Sequence, residues 1–262
     1  MTTQQLARLG VSLAAIVSLL LLWWYVTDVA RLLSPFVLPS PGDVLQGLIR
    51  ISRGYMGSTL TDHFLASMSV MLSGFILALL VGLPLGVAMS WFTVVDRLFG
   101  PLLAVLRPIP PPAWIPLAIL WFGIGLSGKT FIVFVAAVVP VLVNTYVGCR
   151  EVPKELVAAG RTLGASQRIL LTHIVVPSAG PVILRGIRIS LGIAWATIVA
   201  AELVVAEQGF GFLIMSGYRN FEAAIMAGGM LIIAALGALM NAGFLLLERR
   251  LLRWNEGGQS SE

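Results

Sequence analysis

The stretch ELVAAGRTLGASQRILLTHIVVP, Glu155–Pro177, decides how the rest of the chain is read. Together with Lys154 it places Glu155, Arg161 and Arg168 between long apolar stretches. Its apolar residues recur at helical spacing. Gly164 interrupts that pattern, because glycine enters the left-handed conformation that ends helices, and Ser166 stands where a hydroxyl caps the next helix. The spacing predicts a helix, a turn and a second helix. Such a segment is either an ordinary surface connection or a place where another protein docks. The fixed turn favours docking, since a rigid helix transmits force and a loop does not.

The flanking sequence says where this segment lies. The chain is 58% hydrophobic and 11% charged, against about 25% charged in soluble domains, and its mean hydropathy is +0.95. Leu9–Thr27, Phe64–Val95, Pro108–Gly128, Thr130–Cys149 and Ala223–Leu247 contain no Asp, Glu, Lys or Arg, and Ile189–Ala206 contains only Glu202. A helix crosses the hydrocarbon with about 20 apolar residues. Six spans are expected, in an all-α polytopic membrane protein. The first, 9–27, has no small-residue cleavage site after it but Trp23, Trp24 and Tyr25, an interfacial anchor on a retained span.

Lys and Arg set the orientation. With the N-terminus inside, twelve fall on the inner side, Arg107 among them, and five on the outer. Both termini are therefore expected in the cytoplasm. This asymmetry accounts for the net charge of +5, and no aromatic-interleaved basic patch points to nucleic acid.

Between the first two spans, residues 41–53 form an amphipathic pattern, with Val44, Leu48 and Ile51 on one side and Arg50 and Arg53 on the other. This predicts a short helix lying on the outer membrane surface. The second span carries Gly82, Pro84 and Gly86, and the fourth carries Pro140 and Asn144. Such kinked spans belong inside a bundle, where neighbours satisfy the freed backbone groups. Pro108, Pro110, Pro111, Pro112 and Pro116 break the entry to the third span; the break is either a loop outside the membrane or the mouth of a translocation path. Asn144 is either glue between helices or a ligand contact. Glu202 is hydrated at the outer interface, paired with a helix terminus, or part of transport. Arg185 and Arg188, one turn apart, suit snorkelling to lipid phosphates. Cys149 is a lone packing residue, and the tail 255–262 is polar. The whole chain, 1–262, reads as one membrane domain, with its core at 64–254 and the charged segment at 151–177.

No sequence pattern supplies an enzyme. HExxH, GxSxG and GxxxxGK[ST] are absent, and the two histidines, His63 and His173, fall on opposite sides of the membrane in this topology. No metal site and no catalytic residue is expected. If the protein pumps, its energy comes from another subunit.

The charged segment resembles the cytoplasmic signature of bacterial ABC importer permeases: Glu-Ala-Ala, three residues, Gly, nine residues, Ile, one residue, Leu-Pro. Aligned on Gly164, nine residues precede Ile174, and Val176-Pro177 follow in place. The opening triplet departs from the pattern: it is Ala158-Ala159-Gly160, and Glu155 lies one helical turn earlier. Other segments resemble the permease branch that imports taurine, aliphatic sulfonates, nitrate or bicarbonate. They are Leu38–Pro41, Arg107–Pro111, Trp114–Pro116, Leu120–Gly125, Thr162–Ser166, Gly186–Gly192 and Ala200–Leu203.

The resemblance implies a type I importer architecture. Two permease copies form a central path, a cytoplasmic ABC ATPase dimer binds beneath them with its own ATP and magnesium, and a periplasmic substrate-binding protein delivers the substrate. This chain would need no cofactor. The segment holding Glu155, Ala158, Ala159, Gly160, Arg161, Gly164, Ala165 and Ser166 would be the coupling helix seated on the ATPase. The path would run between the third, fourth and fifth spans of two copies, with Trp114, Asn144, Thr145, Ser190, Thr197 and Glu202 as candidate lining. Sulfonate, nitrate, bicarbonate, aromatic carboxylate and thiamine-precursor systems share these motifs. The rival from another class is a membrane scaffold that docks a soluble partner and moves nothing; proline-broken spans argue against it.

Overall fold

A computed structural model describes residues 3–252 of the chain. Helix α1 (Thr3–Trp24) runs on through a π turn, Tyr25–Val29. It is followed by α2 (Pro41–Arg53), α3 (Leu60–Trp91), α4 (Thr93–Leu106) and a 3-10 turn, Pro111–Trp114. Next come α5 (Ile115–Phe122), α6 (Leu126–Arg150) and α7 (Lys154–Thr162). The chain continues through α8 (Gln167–Val204), α9 (Phe210–Arg219) and α10 (Ala223–Leu251). Among the described residues there is no strand, only an isolated bridge between Tyr55 and Ser58. The protein is all-α, as expected.

The helices α3, α6, α8 and α10 are long and apolar enough to cross a membrane. The expected third span, Pro108–Gly128, is not one helix. Its proline run splits it from α4, and the two arms, Thr93–Leu106 and Pro111–Phe122, meet at a bend of 93°. Counting that bent pair gives up to five spans; the apolar stretch Leu13–Val29 is shorter. Among the described residues, then, four helices are whole spans and the bent pair is a broken fifth, while the expected first span corresponds to α1 and its π turn, which run from Thr3 to Val29. The fifth predicted span also starts earlier than Ile189. Helix α8 is helical from Gln167 onward, with a π segment at Leu170–Val175, so Ile174 and Val176-Pro177 of the signature belong to its first turns. The polar tail lies outside the described residues.

The core is the sandwich of α3, α6 and α8. Glycines set the spacing of α3 on α6: a Cβ at Gly74 would lie 2.6 Å from Val133 Cβ, and one at Gly86 would lie 2.7 Å from Thr145 Cβ. Small residues let backbones approach closely where lipid offers no hydrophobic drive to association. Around them Val70, Met71, Ala78, Val133, Ala137, Ala194 and Ile198 are buried. Proline in α6 removes a backbone donor, and in the turn before Pro140 the carbonyl of Ala137 accepts from Ser190 Oγ of α8 at 2.7 Å. That bond holds two spans together. Trp195 Nε1 likewise donates from α8 to the carbonyl of Ile233 in α10 at 3.2 Å.

The amphipathic helix α2 forms where the sequence put it. Ser40 and Asp43 cap it reciprocally and Pro41 opens it. Its apolar face meets protein, not only lipid: Val44 and Ile51 are buried, and Gly47 abuts the carbonyl of Ala224 in α10. Arg50 pairs with Glu222 at 2.9 Å, and Tyr55 Oη donates to the same carboxylate at 2.5 Å. At the other end of the bundle Arg150 reaches Asp96 at 3.6 Å and donates to Tyr146 Oη. Arg188, assigned to lipid phosphates, pairs instead with Glu248 of α10 at 3.2 Å.

Candidate functional site

Three places gather the residues singled out in the sequence. The first is the turn between α7 and α8. Helix α7 ends in a Schellman motif: Ala165 N–H donates to the carbonyl of Gly160 at 3.0 Å and Gly164 N–H to that of Arg161 at 2.9 Å. Gly164 sits at φ +81°, where a side chain is strained by about 1–2 kcal/mol. Ser166 Oγ then accepts from Ile169 N–H at 3.4 Å and caps α8. Gly160 is buried; a Cβ there would meet Ile174 Cδ1 at 2.5 Å and Leu170 Cδ2 at 2.7 Å, so its smallness lets α7 rest on α8. Glu155, Ala158, Ala159, Arg161, Gly164 and Ser166 are exposed, and Ala165 is half-buried. The sequence reading missed Leu163, which is 88% exposed at the tip of the turn, beside half-exposed Leu156. Their mark in the sequence was two leucines off the buried stripe.

The second place is a cavity of about 820 Å³ between the bent pair and the core. Leu103 of α4, Trp114, Val135 and Asn144 of α6, and Ile193 of α8 are among its walls, and Arg107 lies at its edge. Trp114 packs edge-on to Phe131 with ring centroids 6.4 Å apart, and its Nε1 is buried without a hydrogen-bond partner. Asn144 Nδ2 donates to the carbonyl of Pro140 on its own helix at 2.8 Å, so it is not glue between helices. Trp114 and Asn144 thus share one cavity. Thr145, Ser190, Thr197 and Glu202 do not border it and are buried inside the subunit. Thr145 bonds the carbonyl of Val141 in its own helix.

The third place surrounds Glu202, which is 1% exposed and far from hydrated. Its carboxylate accepts from Ser67 Oγ of α3 at 2.7 Å and from Gly211 N–H at the start of α9 at 2.9 Å. Phe210 N–H donates to Ser67 Oγ at 3.1 Å, and Gly209 N–H to His63 Nδ1 at 3.1 Å. Three successive backbone donors of the α9 N-terminus are therefore held by side chains from two other helices. A carboxylate suits that end of a helix by charge as well. Of the three readings of Glu202, the structure shows pairing with a helix terminus. His63 and Ser67 were missed as a pair, although they stand four residues apart on one face of an apolar helix.

Among the described residues no group of His, Cys, Asp and Glu could hold a metal ion. What the geometry offers is a rigid exposed turn at one end, a cavity beside a broken helix in the middle, and a locked polar node at the other end.

Residues 74–253 match the family described as binding-protein-dependent transport system inner membrane component. The taurine transport system permease protein TauC of Escherichia coli K12 is 36% identical over 250 residues, covering 95% of this chain and 90% of that protein. The putative aliphatic sulfonates transport permease protein SsuC of Bacillus subtilis 168 is 32% identical over 231 residues, 88% and 83% of the two chains. The bicarbonate transport system permease protein CmpB of Synechococcus elongatus is 30% identical over 255 residues, 95% and 92%. Among solved structures, an inward-facing MetNI methionine ABC transporter superposes with a TM-score of 0.65 at 20% identity, over 73% of this chain and 95% of that one. That last likeness is one of fold.

Proposed function

The chain belongs to the family of binding-protein-dependent transport system inner membrane components, and from that premise we propose how it works and what it carries. It is a permease subunit of an ABC importer, with the type I fold, and it is not itself an enzyme. In our reading, 1–262 acts as one permease domain with both termini cytoplasmic, and two copies enclose the path. A cytoplasmic ATPase dimer, which binds ATP and magnesium, seats α7 and the turn after it, and a periplasmic binding protein hands over the substrate. Closure of the ATPases rocks the two permeases between inward-open and outward-open states. The favoured substrate is a small anion of the taurine or alkanesulfonate kind, in keeping with the relatives above. Nitrate, bicarbonate, aromatic carboxylate and thiamine-precursor import remain within the same permease class, and a bicarbonate relative is among the matches.

The observation that carries the docking reading is the turn itself. Leu163 projects into solvent on a loop whose shape is fixed by backbone hydrogen bonds and a left-handed glycine. An exposed apolar knob on a rigid mount fits a groove on a partner. The test is a cysteine at Leu163, in a Cys149→Ala background, cross-linked in membranes that also contain the ABC ATPase of the transporting complex. A cross-link at Leu163 and none at a control cysteine in α2 is expected. No cross-link at Leu163 in an actively transporting complex would put the coupling site elsewhere.

A further inference from the structure

Arg107, placed on the inner side by the sequence, borders the large cavity between the bent pair and the core. The α4 helix leaves the Arg150 end of the bundle, where Asp96 meets Arg150, and lines the cavity from Phe99 to Leu106. Eleven residues separate Asp96 from Arg107, about 16 Å at 1.5 Å per residue. Arg107 directly follows α4 at the start of the proline break, where the chain bends by 93°. It is exposed at the edge of the cavity and takes part in no ion pair among the described residues. An unpaired charge inside a membrane is costly and is kept where it meets a partner or a watery path.

The cavity beside it supplies the other half of the argument. Its walls are almost wholly apolar: Val81, Leu85, Leu103, Val135, Val139 and Ile193 are typical. The amide of Asn144 is the uncharged polar side chain with access, and its Oδ1 makes no hydrogen bond. At about 820 Å³ the space exceeds by far what a bare inorganic anion fills, and lies in the range of sites for organic ligands. Apolar walls favour a hydrocarbon body and give nothing to an ion that needs hydrogen bonds on every side. A guanidinium, by contrast, presents donors in a fork that matches the oxygens of a sulfonate or carboxylate.

We propose that Arg107 and this cavity form a substrate subsite within the permease, taking an organic anion whose charged oxygens meet Arg107 and whose short aliphatic body lies against α4, α6 and α8. This rests on the importer reading above and sharpens it, since it separates organic anions from nitrate and bicarbonate. It also gives the proline break a purpose. The break turns the chain away after α4, so the cation is presented at the end of that helix instead of being covered by a continuing one.

The test uses the permease purified with its ATPase in lipid nanodiscs, without binding protein, and radiolabelled butane-1-sulfonate as probe. Saturable binding is expected, weakened at least about tenfold in R107Q and by less in R107K, which keeps the charge but loses the fork. Across unlabelled ethane-, butane- and hexanesulfonate, competition should strengthen by about two- to fourfold per methylene, as burial of each CH2 predicts. Nitrate and bicarbonate should compete far more weakly than butanesulfonate. Unchanged binding in R107Q, or nitrate competing as well as hexanesulfonate, would overturn the proposal and leave the importer reading standing. So would the absence of saturable binding to a complex that transports the same sulfonate when the binding protein is added. Failure of the wild-type chain to co-purify with any ATPase would instead sink the importer reading, and the subsite with it.

Discussion

Helix α8 is entered and left through two turns of opposite construction. The turn before it, residues 163–166, is shaped by its own backbone: two hydrogen bonds, a glycine at φ +81° and a serine cap. Its side chains are left free, and Leu163 faces outward. The turn after it, residues 205–209, ends in a helix whose first donors are taken by His63, Ser67 and Glu202. Nothing on that carboxylate is free. The first design keeps a surface rigid and available to a partner. The second fastens α9 to α3 and α8. Under the proposed alternating access the two joints would serve different ends, one meeting the partner and the other keeping the bundle whole.

The comparison can be broken most severely at the buried node. Replacing Glu202 by Ala leaves Gly211 N–H and the Ser67 hydroxyl without their acceptor and opens a void, at a cost on the order of 3 kcal/mol. Thermal unfolding of the detergent-purified chain should drop clearly for E202A and recover in part for E202Q, whose amide oxygen still accepts. Equal, small losses in both variants would mean that the node is not what fastens α9.

The exposed turn should respond differently. Gly164→Val forces a β-branched residue into a left-handed conformation, at about 1–2 kcal/mol confined to the turn. The complex should still assemble, with ATP hydrolysis continuing while uptake falls steeply. Wild-type uptake in G164V would remove the turn from the coupling path.

A smaller effect is expected where α2 is tied to the end of α9 and the start of α10. The hydrogen bond from Tyr55, and then that from Arg50, hold the Glu222 carboxyl below the usual glutamate value of 4.5, against the opposing effect of its partial burial. Burial, and then the Glu222 bond, push the Tyr55 phenol above 10.0, so it stays a donor at neutral pH. A depressed carboxyl contributes stability above its unfolded value, and this is lost as pH falls through the lower, folded value. The wild type should therefore exceed E222Q by less than about 1 kcal/mol at pH 7, and the two unfolding curves should converge as the pH is lowered from 5 towards 3. A constant gap across that range would exclude an ionised Glu222 as the cause.

The least effect on stability belongs to Leu163→Asp, within about 0.5 kcal/mol, since the side chain touches solvent. Its consequence should appear only in the partner: co-purification of the ATPase is expected to fall in L163D while the melting temperature holds. A large loss of stability would show instead that Leu163 serves the fold.

The two turns also differ in how they could be read. Gly164 and Ser166 announce the first, because the signals for ending and starting a helix are local and lie within four residues of each other. The second could not be read from residues near it. Glu202 looked like an ionisable residue at a span end, and Ser67, which donates to it, and His63, which accepts from Gly209, lie more than a hundred residues earlier. The proline run predicted a break before the third span, yet neither its 93° bend nor the cavity that Arg107 borders follows from composition. Asn144, read as possible glue between helices, bonds its own carbonyl ladder, while Ser190, read as possible path lining, does the holding.

By itself the sequence determined that this chain lives in a membrane, that it is helical, where its ordered charged turn falls and which family signature it carries. These are properties of hydropathy and of neighbours along the chain, and hydrocarbon leaves the backbone few ways to satisfy its hydrogen bonds. Only the tertiary structure decided which polar residues are buried as structural ties and which border a cavity, and how many spans remain whole. Those outcomes depend on which helix faces meet, and glycine spacing, proline breaks and distant hydroxyls settle that jointly, with no single one marking it in the sequence.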